Sequence, residues 1–314
     1  MSSGQGPAEL VLAAGVARRH YLQGKSKVEI AEELGISRFK VARLLDTARA
    51  KGIVRIEIVR QGDLDVDLSA QLQEALGLAH ALVVQGSGPE GALRASLGAA
   101  AAGLLAEVLV DGDVLGLPWS RSVSEVVAAL EELPHISVVQ LSGSMVLPDI
   151  DTSPVDLVRR TARLAGGEAH VFYAPFILDD AESASALIRQ PAVADALAHI
   201  EKVTTAVVGV GAWAEGLSTI FEVSDTATRR EVTREGVLGE AAGVFFDSRG
   251  SVVEPAISAR MVNIRGDQLR AIPDVVAIAS GAAKAAAVRA AIQGSLVNSL
   301  VVDESLAHAL LNIV

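Results

Sequence analysis

EIAEELGISRFKVARLL, residues 29–45, reads as two short helices around a tight turn. Ile30, Ala31 and Leu34 share one helical face. Ser26 precedes that run with Glu29 three residues on, which is the S-x-x-E spacing of a capping box. Gly35 supplies the left-handed residue that a helix end favours. Ile36 anchors the turn, Ser37 caps the second helix, and Val41, Leu44 and Leu45 form its inner stripe. Arg38, Lys40 and Arg43 are left pointing outward, with Phe39 among them. A helix that reads DNA needs this arrangement: it enters the major groove with donors at its N-terminal end, and Arg or Lys reaches guanine edges or phosphates. Lys25, Ser26 and Lys27 sit where the first helix would touch the sugar-phosphate backbone, and Arg49 adds a phosphate contact.

An ordinary helical hairpin with a solvated charged face is the competing reading of those residues. Three neighbours weigh against it. Upstream, LVLAAGVARRHYLQG (10–24) predicts a further helix ending at Gly24; downstream, KGIVRIEIV (51–59) has a glycine turn and a β-rich run, as a wing would. Charge is the third. Residues 1–60 hold 11 basic and 6 acidic side chains, about +5, whereas the whole chain carries 27 basic and 38 acidic residues and a net charge of −11. Such asymmetry predicts a nucleic-acid-binding head at 1–60 on an acidic body at 61–314 that repels phosphate backbones.

The 314 residues contain no cysteine, which excludes disulfides and thiolate chemistry and fits a reducing cytoplasm. The N-terminus lacks a secretory pattern, and no run of 18 apolar residues is free of charge, so no membrane partner is expected. The six histidines are scattered, without the i, i+4 spacing of a metal-binding helix. No P-loop and no G-x-S-x-G elbow is present. Neither a metal nor a cofactor is expected.

The body begins with QGDLDVDLSAQLQEALGL (61–78), a linker running into a helix. From residue 80 apolar strands and helices alternate: strands at 80–86, 113–117, 136–143, 170–175, 204–211, 275–281 and 297–303, and helices at 92–109, 120–133, 154–166, 191–200, 282–294 and 304–312. That rhythm predicts a parallel, Rossmann-like sheet covered by helices on both faces. GVFFDSRGSVV (243–253) predicts an edge hairpin around Arg249-Gly250. Ligands of such sheets sit at the C-terminal strand ends. Four ends stand out, three with glycine and the first with polar residues: LPWSRS (117–122), LSGSM (141–145), GVGAW (209–213) and ASGAAK (279–284). Each alone could be a tight turn; together, with Arg121 and Lys284 at helix starts, they predict an anion pocket. Trp119 and Trp213 adjoin these loops and could stack on a sugar or simply pack. Asp303 is expected to cap the last helix.

Taken in order, IAEELGISRFKVARLLDTARAKGIVRIEI (30–58), LPWSRSV (117–123), GVLGEAAGVFFDSRGSVV (236–253) and IPDVVAIASGAAKAAAVRAAIQGSLVNSLVVDESLAHALL (272–311) resemble the SorC-type sugar-binding transcriptional regulators. The resemblance implies a winged helix-turn-helix domain and an α/β effector domain similar to the glucosamine-6-phosphate deaminase type. It implies three partners: double-stranded operator DNA, a phosphorylated sugar or polyol, and further copies of the chain in a homodimer or homotetramer. Carried over by motif, Arg121 and Ser122 line the phosphate or hydroxyl site, and Ser142, Gly143 and Thr152 face the ligand. Gly211 allows its close approach, Glu240 accepts from sugar hydroxyls, and Lys284 meets a phosphate. The alternative is a sugar-phosphate isomerase or deaminase with an accessory DNA-binding module. That chemistry needs a positioned acid and base, and Glu240 is the single obvious candidate, so no catalytic residue is assigned.

Overall fold

The computed structural model describes residues 6–55, 63–86, 90–145 and 153–313. The chain divides into two compact units, Met1–Val59 and Arg60–Val314.

The first unit is helical: α1 (Pro7–Ala17), α2 (Lys27–Leu34) and α3 (Arg38–Ala50). Both halves of the expected capping box form. Ser26 Oγ accepts from the Glu29 amide at 3.3 Å, and the Glu29 carboxylate accepts from the Ser26 amide at 2.8 Å. Gly35 ends α2 at φ 63°, and Ser37 Oγ accepts from the Lys40 amide at 3.2 Å to start α3. Ala13, Val16, Ile30, Val41, Leu44, Leu45 and Ala48 make its core. The helix expected over 10–24 stops at Ala17 and continues as a π turn, Arg18–Leu22, before Gly24 at φ 66°. Residues 51–55 form a turn; the remainder of the expected wing lies outside the described residues.

The second unit runs α4 (Val66–Leu76), β1 (His80–Val84), α5 (Glu90–Val108), β2 (Val114–Leu117), α6 (Arg121–Ala129), β3 (Ser137–Gln140), α7 (Pro154–Ala165) and β4 (Ala169–His170). It continues through α8 (Ala181–Ile188), α9 (Pro191–Ala198), β5 (Thr205–Ala212), α10 (Thr219–Val223), α11 (Thr226–Arg234), β6 (Gly239–Ala241) and β7 (Val244–Phe246). It closes with α12 (Gly266–Ala271), β8 (Asp274–Ala279), α13 (Ala285–Gln293), β9 (Ser299–Asp303) and α14 (Glu304–Leu311). The main sheet has the order β1-β9-β8-β5-β2-β3-β4 and every neighbouring pair in it is parallel.

Side-chain alternation explains why both faces are covered. Val208, Ala277, Leu300 and Val302 enter one layer with Leu72 of α4, Val288 of α13 and Leu310 of α14. Val207, Val276, Ile278 and Val301 enter the other with Leu105 of α5, Val126 of α6 and Val158 of α7. By length and composition α5 could cross a membrane, its 18-residue window having a mean hydropathy of 1.2. Its Leu97, Ala101 and Leu105 are buried in that second layer, so one face of it packs on the sheet, with a third of the window buried.

Two expectations are corrected. The antiparallel insertion begins earlier than expected, with the hairpin of β6 and β7 joined by the two-residue turn Ala242-Gly243 at φ 51° and 84°. It attaches to the C-terminal half of β5, in the middle of the sheet and not at its edge. Both turn residues have positive φ, as the twist of a tight hairpin requires, and Asn263 holds Ala242 by donating to its carbonyl at 3.1 Å. Arg249-Gly250 does turn the chain back as expected: Val252 bridges Phe246 antiparallel, the Val253 amide donates to the Phe245 carbonyl at 2.9 Å, and Asp247 accepts from the Arg249 and Ser251 amides within the turn. The strand expected over 170–175 is not continuous: the chain pairs with β3 at Ala169–His170 and then only through a single parallel bridge between Pro175 and Ser144.

Candidate functional site: a cation-lined cavity and an exposed basic helix

The four singled-out strand ends meet. After β2 the chain passes Pro118 and Trp119 to Ser120, whose Oγ accepts from the Val123 amide at 3.1 Å and caps α6. The Trp119 amide donates to Ser142 Oγ at 2.9 Å, tying the β2 end to the β3 end. After β5, Ser218 caps α10, and Arg121 donates to Thr219 Oγ1 at 3.3 Å. After β8, Lys284 stands at the start of α13. Between these loops lies a cavity of ≈ 220 Å³.

Six expected residues line it: Arg121, Ser122, Ser142, Gly211, Glu240 and Lys284. Gly143 does not. Its amide donates to the Val262 carbonyl at 2.8 Å, and a β-carbon there would collide with the Pro175 carbonyl and come within 2.8 Å of Phe176 Cα. Glycine is needed for that backbone crossing, not for a ligand. Thr152 lies outside the described residues. Trp119 lines the cavity, whereas Trp213 packs edge-on against Phe221 and Phe245 and donates to Thr233 Oγ1 at 3.2 Å.

The sequence reading missed Arg94 of α5, Ser218, Thr219 and Glu222 around α10, and Phe176. Ser218 and Thr219 follow the GVGAW loop closely enough to have been found by extending it. Arg94 is a lone cation in an alanine-rich helix and gave no local signal. At Gly211 the absence of a side chain also makes room within the protein: a β-carbon on it would collide with Glu240 Oε1 and lie 3.1 Å from Ser218 Cβ. Its missing side chain seats Glu240.

Glu240 is buried, accepting from the Ser218 hydroxyl at 3.2 Å and the Gly243 amide at 3.4 Å. Burial pushes its pKa up; those two donors and the Lys284 charge pull the other way without cancelling it. Between the ordinary carboxylate range and the raised value the native chain holds a proton that the unfolded chain has lost. Glu240 therefore makes stability fall as pH rises through that window. Glu240→Gln, which cannot ionise, is expected to melt like the wild type at pH 4 and at a higher temperature than it by pH 8. Paired thermal melts across pH check this; a gain independent of pH would show that burial of the charge is not the cause.

In the helical unit, Arg38, Phe39, Lys40 and Arg43 are exposed on α3, Phe39 to 84 %, and Lys27 is exposed on α2. Lys25 is ion-paired with Glu33, which also pairs with Arg19 at 3.3 Å, and Arg49 is ion-paired with Asp46 at 2.5 Å. These two cations are shared with neighbouring carboxylates. The Ser26 and Ser37 hydroxyls accept the cap bonds already described.

Comparison with known proteins gives concordant results. Residues 62–312 match the family described as "Putative sugar-binding domain". The deoxyribonucleoside regulator of Bacillus subtilis (strain 168) is 27 % identical over 316 residues, covering 96 % of this chain and 97 % of that protein. Transcriptional regulator LsrR of Klebsiella pneumoniae is 28 % identical over 311 residues, covering 97 % and 94 %. The crystal structure of the full-length sorbitol operon regulator SorC from Klebsiella pneumoniae superposes with a TM-score of 0.72 at 25 % identity, covering 97 % of this chain and 99 % of that one.

Proposed function

The chain belongs to the SorC-type family of sugar-binding transcriptional regulators, and from that premise we propose that it binds a phosphorylated sugar or polyol in the cavity and thereby controls its grip on an operator of carbohydrate catabolism. The chain is a regulator and not an enzyme, as its relatives are. In this reading residues 1–60 are a winged helix-turn-helix domain, and residues 61–314 bind the effector and oligomerise, in the manner of a deaminase-type α/β domain.

One observation carries the proposal: Arg94, Arg121 and Lys284 converge on one cavity within a unit whose remaining charge is strongly acidic. The capped N-terminus of α6 opens beside Arg121, and its amides favour an anion. A phosphate monoester carries about −1.5 to −2 at neutral pH, a match for that cationic set. Ser122, Ser142 and Ser218, with Glu240, are suited to sugar hydroxyls. The name of the Bacillus relative puts deoxyribose-type sugars among the first probes.

A single small head buries little surface on DNA, so useful specificity calls for two heads in a homodimer or homotetramer. The protein would work in the cytoplasm, where its operator is. Effector binding alters operator affinity only through different affinities for the two arrangements of the assembly, typically 5–150-fold. The test is a thermal-shift screen of pentose and hexose phosphates against their unphosphorylated counterparts, followed by operator titrations with any hit. Selective stabilisation by the phosphorylated forms is expected. Equal stabilisation by the free sugars would refute the anion reading, and turnover of a sugar phosphate would revive the isomerase or deaminase. Lys284→Ala is expected to weaken the hit about tenfold, in the range of a lost charged hydrogen bond, and to leave operator affinity without effector unchanged. Calorimetry showing equal affinity removes Lys284 from the site.

A further inference from the structure

Asp303 ends β9 and occupies the residue before α14, where a capping carboxylate was expected. It makes no cap bond to that helix. Its Oδ1 accepts instead from the amide of Gly281, in the loop after β8, at 2.8 Å, and its Oδ2 accepts from the Ser305 hydroxyl at 2.5 Å. The residue is 7 % exposed. A buried carboxylate is costly unless its lone pairs are filled, and here one oxygen is committed to a loop that belongs to the neighbouring strand.

Gly281 is the pivot of that loop. It sits at φ 88° and ψ 130°, while an added β-carbon would meet nothing within 4 Å. Backbone torsion, not crowding, demands glycine there. The Lys284 amide donates to the Gly281 carbonyl at 3.1 Å and closes the single 3₁₀ turn Ala282–Lys284 that leads into α13. Ser280 before the pivot and Lys284 after it both line the cavity. Where Gly281 is held therefore decides where both side chains stand.

We propose that Asp303 is a positioning residue of the anion site: by holding the Gly281 N–H it fixes the 280–284 loop and so sets Lys284 at the cavity. This rests on the reading of the cavity as the effector site. The register of the sheet supports it, since Ala279 pairs with Val302, which brings the two strand ends side by side. The Ser305 hydroxyl holds the second oxygen and keeps the carboxylate from rotating off the loop. Asparagine can make both contacts, with its carbonyl toward Gly281 and its amide toward Ser305; alanine can make neither.

The test uses the full-length chain and inorganic phosphate as the probe. Phosphate affinity by calorimetry and hydrogen exchange of peptides spanning 279–285 are measured for Asp303→Ala, Asp303→Asn, Lys284→Ala and the double Asp303→Ala/Lys284→Ala. Asp303→Ala is expected to weaken phosphate about tenfold and to speed exchange of 279–285 by a similar factor, the loss of one buried charged hydrogen bond. Asp303→Asn is expected to stay within about twofold of wild type on both readouts. In the Lys284→Ala background, Asp303→Ala is expected to add less than about twofold, because the residue it positions is gone. Unchanged phosphate affinity in Asp303→Ala, alongside weakening by Lys284→Ala, overturns the proposal. So does an equal loss with and without Lys284, which marks a general defect of the fold. Should the wild type bind no phosphate and no sugar phosphate, the effector reading itself fails, and unaltered 279–285 exchange in Asp303→Ala would then overturn the anchor separately.

Discussion

Arg38→Ala is expected to lower operator affinity by about 5–150-fold, the span of one good base contact at 1–3 kcal/mol, while sugar-phosphate affinity and melting temperature stay at wild-type values. Arg38 is the first residue of α3, directly after the Ser37 cap, and its side chain is exposed. The core of the helical unit is built from Val41, Leu44 and Leu45, and the exposed Arg38 side chain is not part of it, so removing Arg38 subtracts a donor and no core packing. The measurement is fluorescence anisotropy on a duplex selected from a random pool by the wild-type protein, at several salt concentrations. A uniform loss across sequences with the salt slope reduced by about 1 per head assigns Arg38 to a phosphate; loss concentrated at particular base pairs assigns it to a base edge. Operator affinity unchanged at every salt concentration would mean that α3 is not the reading helix.

The second large effect is at Gly211. Gly211→Ala puts a methyl group where Glu240 Oε1 now lies, with Ser218 Cβ 3.1 Å away. Glu240 has nowhere to retreat without losing the Ser218 and Gly243 donors that partly satisfy it. Overpacking of this kind costs about 1–3 kcal/mol, or roughly 2–4 °C in melting temperature per kcal/mol for a unit of this size. Effector affinity is expected to fall at least tenfold, because the displaced carboxylate occupies the cavity it helps to line. A stability cycle isolates the cause. In Gly211→Ala/Glu240→Ala the collision disappears, so the pair is expected to be more stable than the sum of the single effects predicts. Strict additivity would place the strain elsewhere.

Short-range pattern accounts for much of what was legible. The Ser26–Glu29 box, the left-handed Gly35 and the Ser37 cap join residues three positions apart, and the structure forms each of them. The alternation of Val- and Ala-rich runs with helices was sufficient for a parallel sheet buried on both faces. Glycine and a cation at several strand ends were sufficient to point to Arg121 and Lys284, because in any such sheet those ends open on one side.

The chain's own sequence thus determined the helices of the first unit, the class of the second and the side of the sheet on which the cavity opens, since caps, periodicity and turn chemistry act within a few residues. Tertiary structure alone decided the rest. The strand order β1-β9-β8-β5-β2 brings Arg94, Arg121, Glu240 and Lys284 to one cavity from positions far apart in the chain. It turns Gly143 toward Pro175, makes Gly211 the seat of Glu240 and gives the Asp303 carboxylate to Gly281 in place of its own helix. Each is a contact between different strand ends, whose distance depends on how the sheet is threaded and leaves no mark on the residues beside it.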